Sequence, residues 1–364
     1  MAHMFGKTGA PWDVARARQK YGLYLSGAEK TEIRAKLPVS QETGEHYADG
    51  VFEGGGVLGL AFLGAMRCCS EVGIKWRDLA GTSAGAITAS LLAVSRSIDE
   101  LEACFVELDF TKFVGQKTSP LIVDWDPSDD LERPFHVVVN LLNPAIHQLG
   151  LYSSEPFKNW LADALGHKTF SDISKADSGR TLKVVVSDVT RGQMVVLPDD
   201  LPDYRLDKET FPVAEAVRLS MSIPLVFAPG ELGDSLVVDG GILSNYPVWI
   251  LDEKDPGKTP EYPTFGFRLY DRSEEQPVVI DSAQDLLKAM FSTMKNAHDR
   301  YHMSESKKTR SVLIDLSNIG VTVTEFSLHN DQKDELYRRG YECTKDFLLH
   351  QWDWKKHLAS RNFM

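Results

Sequence analysis

Ser83 stands in Gly81-Thr82-Ser83-Ala84-Gly85, with glycine two positions away on either side, between an apolar run and an Ala/Leu-rich run. In a G-x-S-x-G elbow the serine occupies a sharp strand-to-helix turn, and a Cβ at either flanking glycine position would clash with the crossing chain. The hydroxyl becomes a nucleophile only if a neighbouring group removes its proton. A second glycine cluster, Gly54-Gly55-Gly56-Val57-Leu58-Gly59, follows a strand-like stretch and precedes a helix-like one. Consecutive glycines there let backbone N–H groups converge at a helix N-terminus, where developing negative charge is favoured. For ester chemistry that is an oxyanion hole, with the Gly55 and Gly56 amides as donors and Gly54 setting the turn. The third group is Asp239-Gly240-Gly241, closing the Val-rich "SLVVDGG". Its carboxylate is expected at the sheet edge where open α/β folds bind ligands.

Each motif has a rival reading. Gly54, Gly56 and Gly59 also spell G-x-G-x-x-G, the dinucleotide fingerprint, with Asp78 as the acidic partner roughly 20 residues on. Asp78, however, precedes the GTSAG turn directly instead of ending a strand of its own. A Ser…Asp…His order is satisfied by His298, His302, His329 or a later histidine. His298-Asp299-Arg300-Tyr301-His302 imitates H-E-x-x-H with Asp for Glu and no third ligand in view. Asp124, Asp126, Asp129 and Asp130 fail the EF-hand pattern, since Asp129 falls where glycine is needed and Phe135 where glutamate is needed. No metal and no cofactor is expected.

The elements that must position these groups alternate. Strands are predicted at "ADGVFEGGG", "WRDLAG", 181–189, 235–241, 264–270 and 311–317. Helices are predicted after both glycine turns and near 98–108, 155–165, 212–221, 283–305 and 332–349. This rhythm predicts an α/β fold, a mainly parallel central sheet with helices on both faces in a three-layer sandwich. Residues 1–4 resemble a cloning remnant. Residues 5–45 read as an N-terminal arm with a helix near Trp12–Tyr21, 46–349 as the catalytic domain, and 350–364 as a tail. Residues 110–152 break the rhythm as an insertion; its "FHVVVNLLNPAIHQLGLY" suits a lid or acyl-chain groove as well as a core helix.

The three motifs in this order resemble the patatin-like phospholipase family, over residues 48 to about 349. The flanks agree: "SDVTRGQMVVL" (187–197), "AVRLSMSIPLVFAP" (216–229), "VDGGILSNYPV" (238–248) and the closing "TEFSLHNDQKDELYRRGYECTKDFL". The resemblance implies a serine acyl hydrolase for phospholipids or lysophospholipids, working at a membrane surface or micelle. It implies a Ser83–Asp239 dyad without histidine, an acyl-enzyme, and support from Gly81, Gly85, Gly240 and Gly241. A carboxylate is a feeble base unless partly desolvated. Many members carry Arg or Lys where this chain has Leu58, so that side chain's electrostatic help is missing. Alternatives are an acyltransferase with the same acyl-enzyme, a Ser-Asp-His esterase, and a nucleotide-binding or inactive scaffold. An unregulated phospholipase would damage its host's membranes, so a small-molecule or protein activator is expected, and a homo-oligomer is left open.

Composition bounds the rest. The 364 residues are 43% hydrophobic and 25% charged, ordinary for a globular protein. The net charge of −12 argues against nucleic acid as the main partner, since phosphate binding needs a basic face. Cys68, Cys69, Cys104 and Cys343 show no metal or redox spacing and read as free thiols. No run of 18 apolar residues and no signal peptide is present, which predicts a cytoplasmic protein in transient peripheral contact with membrane. The basic "KNAHDRYHMSESKKTR" and "WKKHLASR" could meet lipid headgroups or an acidic effector, with solvated faces as the simpler reading.

Overall fold

The computed structural model describes residues 11–94, 96–108, 150–176, 179–252, 259–272, 277, 279–281, 289–290, 293–294, 305–323 and 325–360. Eight strands form one sheet in the order β10-β9-β1-β2-β4-β8-β7, with β5 also pairing to β4. The central strands are β1 (His46–Phe52), β2 (Ile74–Thr82) and β4 (Leu182–Asp188). They lie parallel to one another and to β9 (Thr264–Tyr270) and β10 (Ser311–Asp315). Antiparallel pairs occur where β4 meets β5 (Gln193–Leu197) and β8 (Ser235–Asp239), and where β8 meets β7 (Gly230–Leu232). A separate two-stranded pair joins β3 (Gly150–Tyr152) to β6 (Leu225–Phe227). Helices flank this mostly parallel sheet, as the alternating pattern predicts.

The helices that matter for the site are those each glycine turn feeds. After β1, a 3-10 turn (Gly56–Leu60) leads into a helix, Ala61–Val72. After β2, Ser83 caps a helix over Ala84–Ala93 in which every residue is buried. Such an all-round apolar helix belongs in the middle of a protein. Phe52 of β1 stacks on Phe267 of β9 with ring centroids 5.0 Å apart and meets Phe62 edge-on at 5.5 Å. Burial of each such ring contributes about 1.5–3 kcal/mol, so the start of the Ala61–Val72 helix is pinned to the strand that delivers the first glycine turn.

Segments expected to be peripheral also join the core. Trp12, Leu23, Leu25 and Ile33 belong to the main apolar cluster; Ile33 lies in helix Gly27–Ala35, and the other three flank helix Val14–Tyr21. The Trp12 indole N–H donates to Asp334 Oδ1 at 2.9 Å, on the C-terminal helix Asn330–Asp346. Near the other terminus, Trp352 packs edge-on against Phe265 of β9 at 4.7 Å. All four cysteines are free. Of the expected insertion, only Gly150–Tyr152 falls within the described residues. The aspartates at 124–130, the His298–His302 motif and most of the helix expected over 283–305 lie outside them.

Candidate active site

Strand β2 ends at Thr82, and the next residue turns the chain through φ 51°, ψ −123° before the helix begins. That conformation costs a non-glycine residue on the order of 1–3 kcal/mol. It persists because the surroundings leave no alternative. A Cβ on Gly81 would lie less than 3.0 Å from the backbone of Gly85, and one on Gly85 equally close to the carbonyl oxygens of Phe52 and Glu53. The Ser83 N–H donates to Ser220 Oγ at 2.8 Å, and that hydroxyl donates to the Val185 carbonyl at 2.6 Å. One step earlier, Thr82 Oγ1 donates to the Ser244 carbonyl at 3.0 Å. The elbow is thus held from β4 and from the loop after Asp239. Ser83 is buried to 4% exposure.

The register of the sheet brings Asp239 to the same level. Thr82 pairs with Val185 across β2 and β4, and Val186 pairs with Asp239 across β4 and β8. Ser83 and Asp239 therefore flank β4, two strand spacings or roughly 10 Å apart across the sheet. The route differs from the one expected. Because β8 runs antiparallel to β4, Asp239 does not stand at the carboxyl edge of a parallel strand. Its strand descends from that edge and stops on reaching the elbow. A second tie is local: the Asp239 N–H donates to the Ser222 carbonyl at 2.9 Å, two residues beyond the serine that binds the Ser83 amide. Gly241 N–H donates to Asp239 Oδ1 at 2.7 Å. A Cβ on Gly240 would crowd the Val185 carbonyl and lie 3.0 Å from Thr82 Cγ2. The Ser83 hydroxyl makes no hydrogen bond among the described residues.

The first glycine turn lies against the elbow. A Cβ on Gly54 would be 3.2 Å from Ser83 Cβ and 3.3 Å from the Thr82 carbonyl oxygen. Gly54 N–H donates to the Asn245 carbonyl at 3.0 Å and so serves the turn. Gly55 and Gly56 begin the 3-10 turn, so their N–H groups have no partner inside it. Neither takes one elsewhere among the described residues. Gly56 has φ +54°, and a Cβ there would collide with the Val323 carbonyl, whose oxygen accepts Val57 N–H at 3.2 Å. The Leu269 side chain occupies the space where a Cβ of Gly55 would be.

Four residues in this site were not singled out from the sequence: Glu53, and Ser220, Ser222 and Asn245, which lie within the flanks that carry the family resemblance. Glu53 and Asn245 are each 3% exposed and Ser220 is fully buried. Asn245 Nδ2 donates to Glu53 Oε1 and to the Gly54 carbonyl, both at 3.0 Å.

The rival motifs lead elsewhere. Asp78 sits within β2, where Oδ1 accepts the Thr181 N–H at 2.9 Å, so this carboxylate serves the sheet. Its own N–H donates to Asp49 Oδ1 at 3.1 Å. Burial, with Asp78 nearby, raises the Asp49 carboxyl to about 7. His329 is exposed at the N-terminus of the last long helix. Among the described residues no three or more His, Cys, Asp or Glu side chains converge on a metal-sized site, and no helix is long and apolar enough to cross a membrane.

An uncharacterized Bacillus subtilis (strain 168) protein, YqhO, is 37% identical over 317 residues, 84% of this chain and 99% of that protein. An uncharacterized NTE family protein of Mycobacterium tuberculosis is 27% identical over 201 residues, 55% of this chain and 27% of that one. Among solved structures, VipD from Legionella pneumophila is similar with a TM-score of 0.49 at 18% identity, covering 86% of this chain and 70% of its own. The family model for patatin-like phospholipase matches residues 50–252, a span that runs from the glycine turn through the elbow to the loop beyond Asp239. The chain belongs to the patatin-like phospholipase family.

Proposed function

We propose that the protein is a serine acyl hydrolase that cleaves fatty-acyl esters of phospholipids or lysophospholipids, with Ser83 as nucleophile and Asp239 as its base. The observation that carries this reading is the short stretch Ser220–Ser222. It binds the Ser83 amide through one residue and the Asp239 amide through another, fixing the two backbones beside β4. The neighbouring Gly55 and Gly56 amides stand at the start of a 3-10 turn and take no partner among the described residues, which suits donation to a developing oxyanion.

In this reading Asp239 accepts the Ser83 proton as Oγ attacks the ester carbonyl. The carbonyl oxygen takes up negative charge facing the Gly55 and Gly56 amides. Collapse expels the lysolipid or glycerol-phosphodiester alcohol, which recovers the proton, and leaves an acyl-serine. Water then attacks the acyl group, with Asp239 as base, and the fatty acid departs. Hydrogen bonds between nucleophile and base are often long before substrate binds and tighten in the reactive complex.

The test combines a fluorophosphonate probe with fatty-acid release from phosphatidylcholine vesicles. Wild type is expected to form an adduct mapped to Ser83, and both Ser83→Ala and Asp239→Asn to lose turnover by at least about a thousandfold. An unlabelled Ser83, or an Asp239→Asn variant that still turns over, defeats the assignment.

A further inference from the structure

Asn245 touches more of the site than any single contact reveals. Its backbone carbonyl accepts the Gly54 N–H, and its side-chain nitrogen donates back to the Gly54 carbonyl. Its Oδ1 lies against Gly54 and, on the other side, Gly241 beside Asp239. The preceding Ser244 carbonyl accepts the Thr82 hydroxyl. One dipeptide therefore meets the glycine turn, the elbow and the base loop.

The amide's direction is set by Glu53. A carboxylate offers acceptors only, and this one also accepts the Leu269 N–H at 2.6 Å and faces Arg268 Nε at 3.8 Å. Asn245 must then present nitrogen, not oxygen, to Glu53 and to the Gly54 carbonyl. That carbonyl and the Gly55 N–H are the two ends of one peptide unit. A donor on the carbonyl polarises the unit, strengthening its N–H as a donor by something like 10–30% per bond, and fixes its plane.

We infer that Asn245 is a positioning residue for the reaction. Acting through the Gly54–Gly55 peptide, it aims and strengthens the Gly55 N–H toward the oxyanion, while Glu53 holds Asn245 in the donating orientation. This rests on the proposed hydrolase reading, in which Gly55 is an oxyanion donor. Asn245 need never touch substrate for its loss to slow the chemical step.

The test uses a soluble p-nitrophenyl ester, which removes any effect of membrane docking, and reads kcat, KM and Tm. Asn245→Asp keeps the shape and loses the donor. It should lower kcat about 10- to 100-fold with KM within about twofold, and lose stability from the carboxylate facing Glu53. The double variant Glu53→Gln with Asn245→Asp restores a donor–acceptor pair between the two side chains but leaves the Gly54 carbonyl without its donor. Its Tm should recover while kcat stays low. Glu53→Gln alone presents an amide nitrogen that forces Asn245 to turn over, and should lower kcat in the same way. Wild-type kcat in any of these variants that folds, or recovery of kcat together with Tm in the double variant, overturns the inference. A wild-type protein without turnover on any ester would instead remove the hydrolase reading beneath it.

Discussion

Removing the Ser220 hydroxyl should damage both the fold and the chemistry, and by calculable amounts. Ser220→Ala takes away the acceptor of the Ser83 N–H and the donor to the Val185 carbonyl, both inside the core. Orphaning a buried N–H costs about 1–3 kcal/mol and losing the second bond about 1 kcal/mol more, roughly 2–4 kcal/mol in all. A chain of 364 residues has an unfolding entropy near 0.8 kcal/mol/K at its melting point, so Tm should fall by about 3–5 °C. The elbow is expected to suffer beyond that. Ser83 sits at φ +51°, and the bond from its amide is one of the restraints that keep it there; once free, it can relax and carry the hydroxyl out of line. Labelling of Ser83 by a fluorophosphonate should slow about 10- to 100-fold. Ser90→Ala is the control. Ser90 is also fully buried, but its hydroxyl only back-bonds to the Ile87 carbonyl within the helix, so its loss orphans no N–H and should leave the labelling rate unchanged. Equal Tm and equal labelling in Ser220→Ala and wild type would refute the claim that this hydroxyl holds the elbow.

Two further predictions concern charge and backbone. With Asp49 held near 7 against an ordinary 3.8, the unfolded chain releases that proton at lower pH than the folded one. Stability should therefore decline as pH rises from about 4 to 7 and change no further from this cause above 7, by at most about 4 kcal/mol and less to the extent that water reaches the carboxyl. Asn at position 49 keeps an oxygen for the Asp78 N–H and cannot ionise, so Asp49→Asn should raise Tm at pH 8 and flatten the fall in Tm between pH 4 and 7; a variant that melts lower at pH 8 and keeps the slope contradicts this. Gly56→Ala adds a side chain at positive φ, costing about 1–2 kcal/mol, and drives it into the Val323 carbonyl. Denaturant titration should show a loss of at least about 2 kcal/mol, accompanied by at least a tenfold fall in kcat, and a fully stable, active variant would show that the turn has room to spare.

The central architecture was legible because it is written in periodic apolar runs. The stretches at 264–270 and 181–189 are buried strands that differ from their sequence-predicted bounds by a residue at most. What escaped the pattern was short or mixed. Strands β3, β6 and β7 have three residues each, too few to show an alternation. Trp12 and Ile33 are isolated apolar residues in a charged segment; Trp12 becomes core by meeting Tyr337 of the Asn330–Asp346 helix, and both belong to the main apolar cluster.

The site divides along the same physical line. Gly54, Gly81, Gly85 and Asp239 were legible because a tight turn excludes nearly every side chain but glycine, and that exclusion leaves a trace in composition. Ser220, Glu53 and Asn245 act through hydrogen bonds across more than a hundred residues of chain, and Ser222 through its backbone carbonyl; one polar residue among others carries no periodicity that could mark it. Asp239 shows how far a motif alone can lead. "VVDGG" reads as a strand end at the ligand edge; β8 does end at Asp239, level with the elbow, but it runs antiparallel to β4. Had β8 been even two residues longer in the same register, its carboxylate would have passed below the elbow by about 7 Å. The D-G-G turn therefore serves as a stop as well as a source of the carboxylate. The length of β8, fixed by its pairing from Asp188–Val237 to Val186–Asp239, is what places that carboxylate level with Ser83.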